Sequence, residues 1–446
     1  MDIQFKQNSV VHRRGNGDLE CVMGESCLTL KDISSGMSHA FLQLITWCNE
    51  ENLGKEISQK EGELSLSSFY YYLDLFKKKG FIAYKTPFFE LIPLQPIASL
   101  EKELLAPFQL CRFAIWRKEE EEIIIETPLA PAKVVIQGRE GILFFYALRK
   151  STSSQKLYEE FPQFDKANII ESLSLLASVN LLSFEKESPS LAKWESHDLY
   201  FHSRSRLGRH NNPFGGTYHL KGVIPPEPCS KLCQTKLLLP LEKPREIPDL
   251  SLIGTIGKRK SIREHGNSPL TVSQLSSFLF HSARIINRDF RREEEYSSRP
   301  YPGGGARYEL DLYLIIHNCT GLSRGVYHYH PFEHALCQVS DLNEAAVELL
   351  KDSSCACGKK EYPQVLIILS ARFLRMFWKY QSMGYATILK DVGVLMQTMY
   401  LTATALDLAP CALGGGDSDL FCKVMGTDYL DETSVGEFIL GSKKLN

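Results

Sequence analysis

At 446 residues the chain exceeds what a single hydrophobic core usually serves, so two or three domains are expected. Its 43% apolar and 11% aromatic content can fill them, while 51 basic against 53 acidic side chains leave no basic excess to draw it to nucleic acid or an anionic membrane. The opening MDIQFKQNSVVHRRGNGD lacks the basic-then-apolar pattern of a signal peptide and no run of about 18 apolar residues occurs, which predicts a soluble, unexported, cytoplasmic protein.

The first 85 or so residues predict three helices and a strand. SSGMSHAFLQLITWC puts Met37, Phe41, Leu44, Ile45 and Cys48 at helical spacing, with Ser34 or Ser35 as the cap. LGKEIS is a second short helix. LSLSSFYYYLDLFKKKGFIAYK is a third, turning Leu66, Phe69, Leu73 and Phe76 inward and stopped by Gly80 before the strand FIAYK. Helices followed by a strand are the order of a small winged helix, assigned here to residues 1–100. From about residue 128 the grammar returns: PLAPAKVVIQGREGILFFYALRK reads as a strand and a helix, and ANIIESLSLLASVNLLSFEKE as a last helix and strand. A second module is therefore expected over 101–188. Between them KEEEEIIIE reads as a solvated edge running into a β-branched strand.

Residues 189–250 are rich in proline and glycine, as in PFGG and KGVIPPEPC, and read as a linker wrapping over a surface. Within it, WESHDLYFHSRSRLGRH concentrates His and Arg. That composition fits a solvated segment, or a contact to substrate or to another subunit.

Residues 251–446 carry the chemistry. KRKSIREH brings Arg259, Lys260, Ser261 and Arg263 together, four phosphate-capable donors within five residues, before a capped apolar helix. SRPYPGGGARYELDLYLII joins Pro302 and the triplet Gly303–Gly305 to a strand in which Leu310, Leu312 and Leu314 alternate with Glu309, Asp311 and Tyr313. Glycines there let backbone amides approach a flat or anionic ligand. GVYHYHPFEHAL predicts a hairpin, and VLIILSA a buried strand before an amphipathic helix ending at Lys379 and Tyr380. A long helix over 388–406 is apolar nearly all round, so it is expected at the centre of a fold or between subunits. PCAL and SVGEFILGSKK are further strands, and Gly414–Gly416 a second triplet. The class is α+β, a mixed sheet flanked by helices.

Twelve cysteines scattered over so long a chain are expected to be free thiols in a reducing compartment. Cys229 with Cys233 and Cys355 with Cys357 lack the two-residue spacing of a zinc knuckle, and His328, His330 and His334 lack a carboxylate set, so no metal is expected.

Taken in order, KRKSIR, RPYPGGGARYELDLYLII, GVYHYHP, the Lys379–Tyr380 pair and ALGGGD make residues from about 190 to 446 resemble the nitroreductase superfamily. The closer resemblance is to the SagB/ThcOx-type dehydrogenases, which include the azoline oxidases of ribosomal peptide pathways and cyanobactin thiazoline oxidases. The two amino-terminal modules resemble winged-helix peptide clamps, the RiPP recognition elements that hold leader peptides. The resemblance implies a dimeric FMN domain at 251–446. In it Arg259, Lys260 and Ser261 bind the FMN phosphate and ribityl chain, and Arg263 lies by the pyrimidine edge. Pro302, Gly303 and Gly304 pack on the isoalloxazine, reaching the flavin of the other subunit, and Gly414 and Gly415 offer amides to the hydride-accepting nitrogen. It further implies a homodimer acting on an azoline-containing precursor peptide with its leader, beside pathway enzymes such as a cyclodehydratase. Lys379 and Tyr380 then match the pair that assists dehydrogenation of a thiazoline or oxazoline, with the reduced flavin reoxidised by dioxygen. A lysine serves as the base only if burial or a neighbouring cation lowers its pKa. Two departures stand out: relatives often carry Ser where this chain has Gly303, and arginines where it reads QSMGYA after the Lys-Tyr pair. The alternatives are an NAD(P)H-dependent nitroreductase or enone reductase, told apart by NADPH oxidation, and a non-catalytic leader-binding scaffold, which would be colourless with FMN added. No GxGxxG in a βαβ context supports a dedicated dinucleotide fold.

Overall fold

The computed structural model describes all residues except 16, 25, 97–103, 105, 106, 185, 186, 233–237, 241–250, 292, 293, 445 and 446, together with the backbone but not the side chains of 238–240. The chain divides into two compact units, Met1–Asn212 and Pro213–Asn446.

In the first unit the predicted helices form at Ser35–Gln43, Glu50–Glu61 and Glu63–Lys78. Ser34 caps the first by accepting the Met37 amide at 3.1 Å, and Phe69, Leu73 and Phe76 are buried on the third. Ile45 lies beyond the end of its helix and is exposed, against expectation. Four strands that the helical reading missed precede them: Asp2–Phe5, and a meander of Ser9–Arg13, Leu19–Met23 and Ser26–Leu30.

The modules expected over 1–100 and 101–188 are not separate bodies. One antiparallel sheet runs in the order Cys48–Asn49, Asp2–Phe5, Ile82–Lys85, Phe89–Pro93, Ala132–Ile136, Glu122–Glu126, Ile115–Glu119, and the join is the five-residue pairing from Ala132–Pro93 to Ile136–Phe89. One core follows from one sheet: Phe88 stacks on Phe144 at 4.1 Å, and both belong to the same buried cluster as Phe5, Phe41 and Phe76. Splitting it would expose aromatic faces whose burial contributes about 1.5–3 kcal/mol each. The second set of helices, Gly138–Ala147, Ser154–Glu160 and Lys166–Ser178, ends in the strand Leu182–Ser183. The charged run forms the hairpin between Ile115–Glu119, which is the sheet edge, and Glu122–Glu126.

The linker assignment fails over 189–212, which folds onto the first unit. Helices form at Pro189–Ala192 and Ser196–Arg204, and Arg204 and Tyr200 both reach the buried Glu126 of the sheet at 2.8 Å. A buried carboxylate needs such partners. The remainder of that stretch belongs to the second unit or lies outside the described residues, as does Cys233.

The second unit is α+β as expected. Its seven strands run Leu238–Pro240, Ala335–Ser340, Gly325–His330, Leu310–Ile316, Val365–Arg372, Glu432–Ser442, Leu408–Leu413. The sheet expected to be mixed is antiparallel at every described pairing, since the hairpin from Gly325 to Ser340 and its neighbours reverse direction at each step. Helices Val272–Ala283 and Gly384–Ala405 cover one face, Glu344–Ala356 and Ser418–Met425 the other. Leu310–Ile316 is thus buried on both faces: Asp311 and Tyr313 are buried on the strand, and Glu309, just before it, is buried as well, so the polar side of the alternation does not face water. Asp311 is held there by Arg372, whose Nε lies 3.1 Å from its Oδ2. Among the described residues no helix is long and apolar enough to cross a membrane. Among the described residues ten cysteines are free, and Cys337 is disulfide-bonded, which corrects the expectation of unlinked thiols for that residue.

Candidate functional site

The helix Gly384–Ala405 is the spine of the site. Its outward ridge of Tyr385, Leu389, Gly393 and Gln397 is exposed in the single chain, so one side of the helix is left open. Asp391 and Tyr400 stand nine residues, or about two and a half turns, apart, which places them on opposite flanks. Each anchors one group of the sequence-derived residues.

On the Tyr400 flank, the Tyr400 hydroxyl lies 2.7 Å from Ser261 Oγ and accepts the Ala412 amide at 2.8 Å. The Arg259 guanidinium sits 5.3 Å from the centre of the same ring. Tyr400 thereby ties the basic segment to the edge strand Leu408–Leu413, which runs into Gly414 and Gly415. Both glycines are exposed, and a side chain added to either would meet nothing within 4 Å. Arg259 is half-buried and Lys260 exposed, and among the described residues neither is in an ion pair. Uncompensated cations beside a hydroxyl and an open glycine surface suit an anionic, flat ligand, so the fit to FMN holds on this flank. Arg263 is the exception. It is exposed and lines a cavity of about 350 Å³ with Glu264, His265, His317 and Cys357, away from the Tyr400 contacts.

On the Asp391 flank, Asp391 accepts the Gly304 amide at 2.8 Å. A side chain at 304 would strike Thr387, and one at Gly305, whose φ is +59°, would strike the Tyr380 hydroxyl and come within 3.1 Å of Lys379 Nζ. The first glycine triplet and the Lys-Tyr pair are therefore in contact, although 75 positions separate Gly305 from Tyr380. Gly303 lies against Tyr308, to whose ring an added Cβ would approach at 3.1 Å, so a serine here would crowd that ring. Pro302 is exposed beside it.

The predicted helix before the pair is short, Phe373–Phe377, and Lys379 and Tyr380 lie past its end, half-buried. Burial pulls the Lys379 pKa down, but the Tyr218 hydroxyl and the oxygen of Tyr380 outweigh it, and the net shift is upward. The ammonium also lies 5.4 Å and 5.3 Å from the Tyr218 and Tyr380 ring centres. The lowered pKa that a basic lysine requires is thus not what this environment produces.

Sequence reasoning missed four members. Tyr218 sat in a presumed linker, and Asp391 and Tyr400 in an apolar helix without a distinguishing pattern. Glu309 was one of an alternating polar set. It is fully buried beside Asp391, and burial followed by the Asp391 charge pushes its pKa up to about 8; burial also raises Asp391. The histidines of the hairpin serve the interior: His328 faces Asp311 at 3.6 Å, His330 accepts the Glu333 amide, and His334 meets Ser276 and Tyr329.

Residues 256–442 match the family model described as Nitroreductase family. The carboxy-terminal half is a nitroreductase-family domain. Residues 108–211, in the first unit, match the model described as Cyanobactin oxidase ThcOx. The resemblance to SagB/ThcOx-type proteins of the nitroreductase superfamily is thereby borne out. MJ1384 of Methanocaldococcus jannaschii, named as a nitroreductase, is 29% identical over 172 residues, which are 38% of this chain and 81% of that protein. The microcin B17-processing protein McbC of Escherichia coli is 30% identical over 148 residues, 32% of this chain and 52% of McbC, so the match spans about half the length of that relative. Among solved structures, the E. coli microcin synthetase McbBCD complex with truncated pro-MccB17 is similar at a TM-score of 0.34 and 20% identity, over 55% of this chain and 86% of the other.

Proposed function

We propose that the chain is an FMN-dependent dehydrogenase that converts a thiazoline, or less favourably an oxazoline, of a ribosomally made peptide to the aromatic azole. The observation that carries this reading is the convergence of Lys379 Nζ and the Tyr380 hydroxyl on Gly305, within a nitroreductase-family domain linked to a ThcOx-like segment. FMN, bound by Arg259, Lys260, Ser261, Gly414 and Gly415 of one copy and Pro302, Gly303 and Gly304 of its partner in a homodimer, supplies hydride acceptance and reoxidation by dioxygen.

Aromatising an azoline removes one carbon-bound proton and one hydride. With its pKa held up, Lys379 enters as an ammonium. It donates to the ring nitrogen, where negative charge grows as the carbon-bound proton leaves to water, and Tyr380 orients the ring beside it. The first unit holds the precursor peptide through its leader, by strand addition at a sheet edge.

The test is stopped-flow reduction of the flavin by a thiazoline peptide. Lys379→Ala should stay yellow and lose about 100-fold or more in the reduction rate, the scale of one preorganised donor. In the native enzyme the rate should be flat through neutral pH and fall at alkaline pH as the ammonium is lost; a rate that rises with pH would make Lys379 the base. An unchanged rate in Lys379→Ala removes it from the mechanism. Rapid NADPH oxidation without azoline turnover would favour a nitroreductase, the activity by which MJ1384 is named.

A further inference from the structure

The segment from Gly216 to Cys229, in the stretch first read as linker, is built into the wall of the Lys379 site. Gly216 forms an antiparallel bridge with Tyr380, and the amides of Thr217 and Tyr218 both donate to the Lys379 carbonyl, at 2.9 and 3.1 Å. Further along, Trp378 donates its indole N–H to the Ile224 carbonyl at 2.7 Å, and Arg372 donates to the Pro228 carbonyl at 2.8 Å. Buried donors that cannot reach water bind the strap by its carbonyls, so its path is fixed by the interior of the domain.

The strap delivers one side chain to the pair. Tyr218 has φ +52°, in the left-handed region that an aromatic residue adopts only where its surroundings impose it. Held so, its ring meets Trp378 edge-on at 5.8 Å and lies under the Lys379 ammonium, with Nζ 5.4 Å from the ring centre. The Tyr380 ring lies 5.3 Å from the same ammonium. A flexible lysine held by two phenols loses the rotamers that would carry it into solvent.

We propose that Tyr218 is the third member of the Lys379–Tyr380 site, a positioning residue whose phenol holds the Lys379 ammonium against Gly305. The role deepens the azoline-oxidase reading and rests on it, but the contact itself can be tested on protein without substrate or flavin.

The experiment is competitive acetylation of the ligand-free full chain with acetic anhydride over about pH 7 to 11, with each lysine quantified by mass spectrometry. Because acetylation follows the free amine, the reactivity of Lys379 in Tyr218→Phe should appear at lower pH than in the native protein and be several-fold higher at a fixed mildly alkaline pH. Lys390 should react alike in both. Tyr218→Asn is the second variant: asparagine tolerates the left-handed backbone, so it removes the phenol without a backbone penalty and guards against a Phe variant that fails to fold. Superimposable Lys379 profiles in native protein and in whichever variant folds would overturn the proposal. In the loaded enzyme, the alkaline fall of flavin reduction should move to lower pH in Tyr218→Phe. If the acetylation shift is seen but native protein oxidises no azoline peptide, the contact stands and the azoline-oxidase reading falls.

Discussion

Replacing Glu309 by glutamine should flatten the pH dependence of the second unit's stability. The carboxyl is wholly buried beside Asp391, and its pKa rises from 4.5 to about 8. In the folded protein it keeps a proton that the unfolded chain releases above 4.5. The stability it contributes is therefore greatest below that value and is lost as pH rises toward and through 8. Linkage for such a shift gives a loss on the order of 3 kcal/mol between roughly pH 6 and 9. Glutamine keeps the shape and can donate to Asp391 at every pH, so the variant should lack this component. Trp378 is the only tryptophan in residues 213–446 and is buried, so urea melts followed by its fluorescence, with Trp47, Trp116 and Trp194 changed to Phe, report the unit in question. Native protein and Glu309→Gln losing stability with the same slope over that range would refute the argument that Glu309 carries the proton.

Arg259→Ala should weaken FMN binding roughly 10- to 100-fold in a fluorescence titration, the cost of one charge-assisted contact of about 1.5–3 kcal/mol, whereas Arg263→Ala, on another wall, should cost less. Gly304→Ala drives a methyl into Thr387 and should destabilise by about 1–3 kcal/mol in a thermal melt, with Thr387→Ser in the same chain restoring most of the loss. Sedimentation should find a yellow homodimer with two flavins, and full flavin occupancy in a monomer would refute the two-flank arrangement. Deleting residues 1–212 should spare flavin binding and raise KM for a leader-bearing peptide more than for a leaderless one; an equal effect would leave the first unit a structural role only.

Local features were legible in the sequence where local physics decides them. Ser34 caps its helix, Phe69, Leu73 and Phe76 turn inward, and VLIILSA forms a fully buried strand, because caps, period and β-branching act over a few residues. What failed involved long-range pairing. The strands before Ser35 are short and not alternately apolar, and they are selected by partners such as Ile82–Lys85 that lie far along the chain. The fusion of the two modules depends on Phe89–Pro93 finding Ala132–Ile136, which no internal repeat announces. Glu309 and Asp311 looked like the wet side of a strand, because alternation cannot tell water from an interior that supplies a second carboxyl to one and an arginine to the other.

The charge of Lys379 illustrates the same limit at the level of chemistry. The motif places a lysine and a tyrosine side by side, and that much is in the sequence. Whether the lysine is an amine or an ammonium depends on how much water it loses against how many oxygens it gains, and burial alone would have lowered its pKa. The deciding oxygen comes from Tyr218, on a strap whose prolines and glycines read as linker and whose path is set by Trp378 and Arg372. A base and an electrostatic donor are therefore the same two letters until the strap is in place. The pH profile of flavin reduction measures that difference, because only a donor loses activity when its proton leaves.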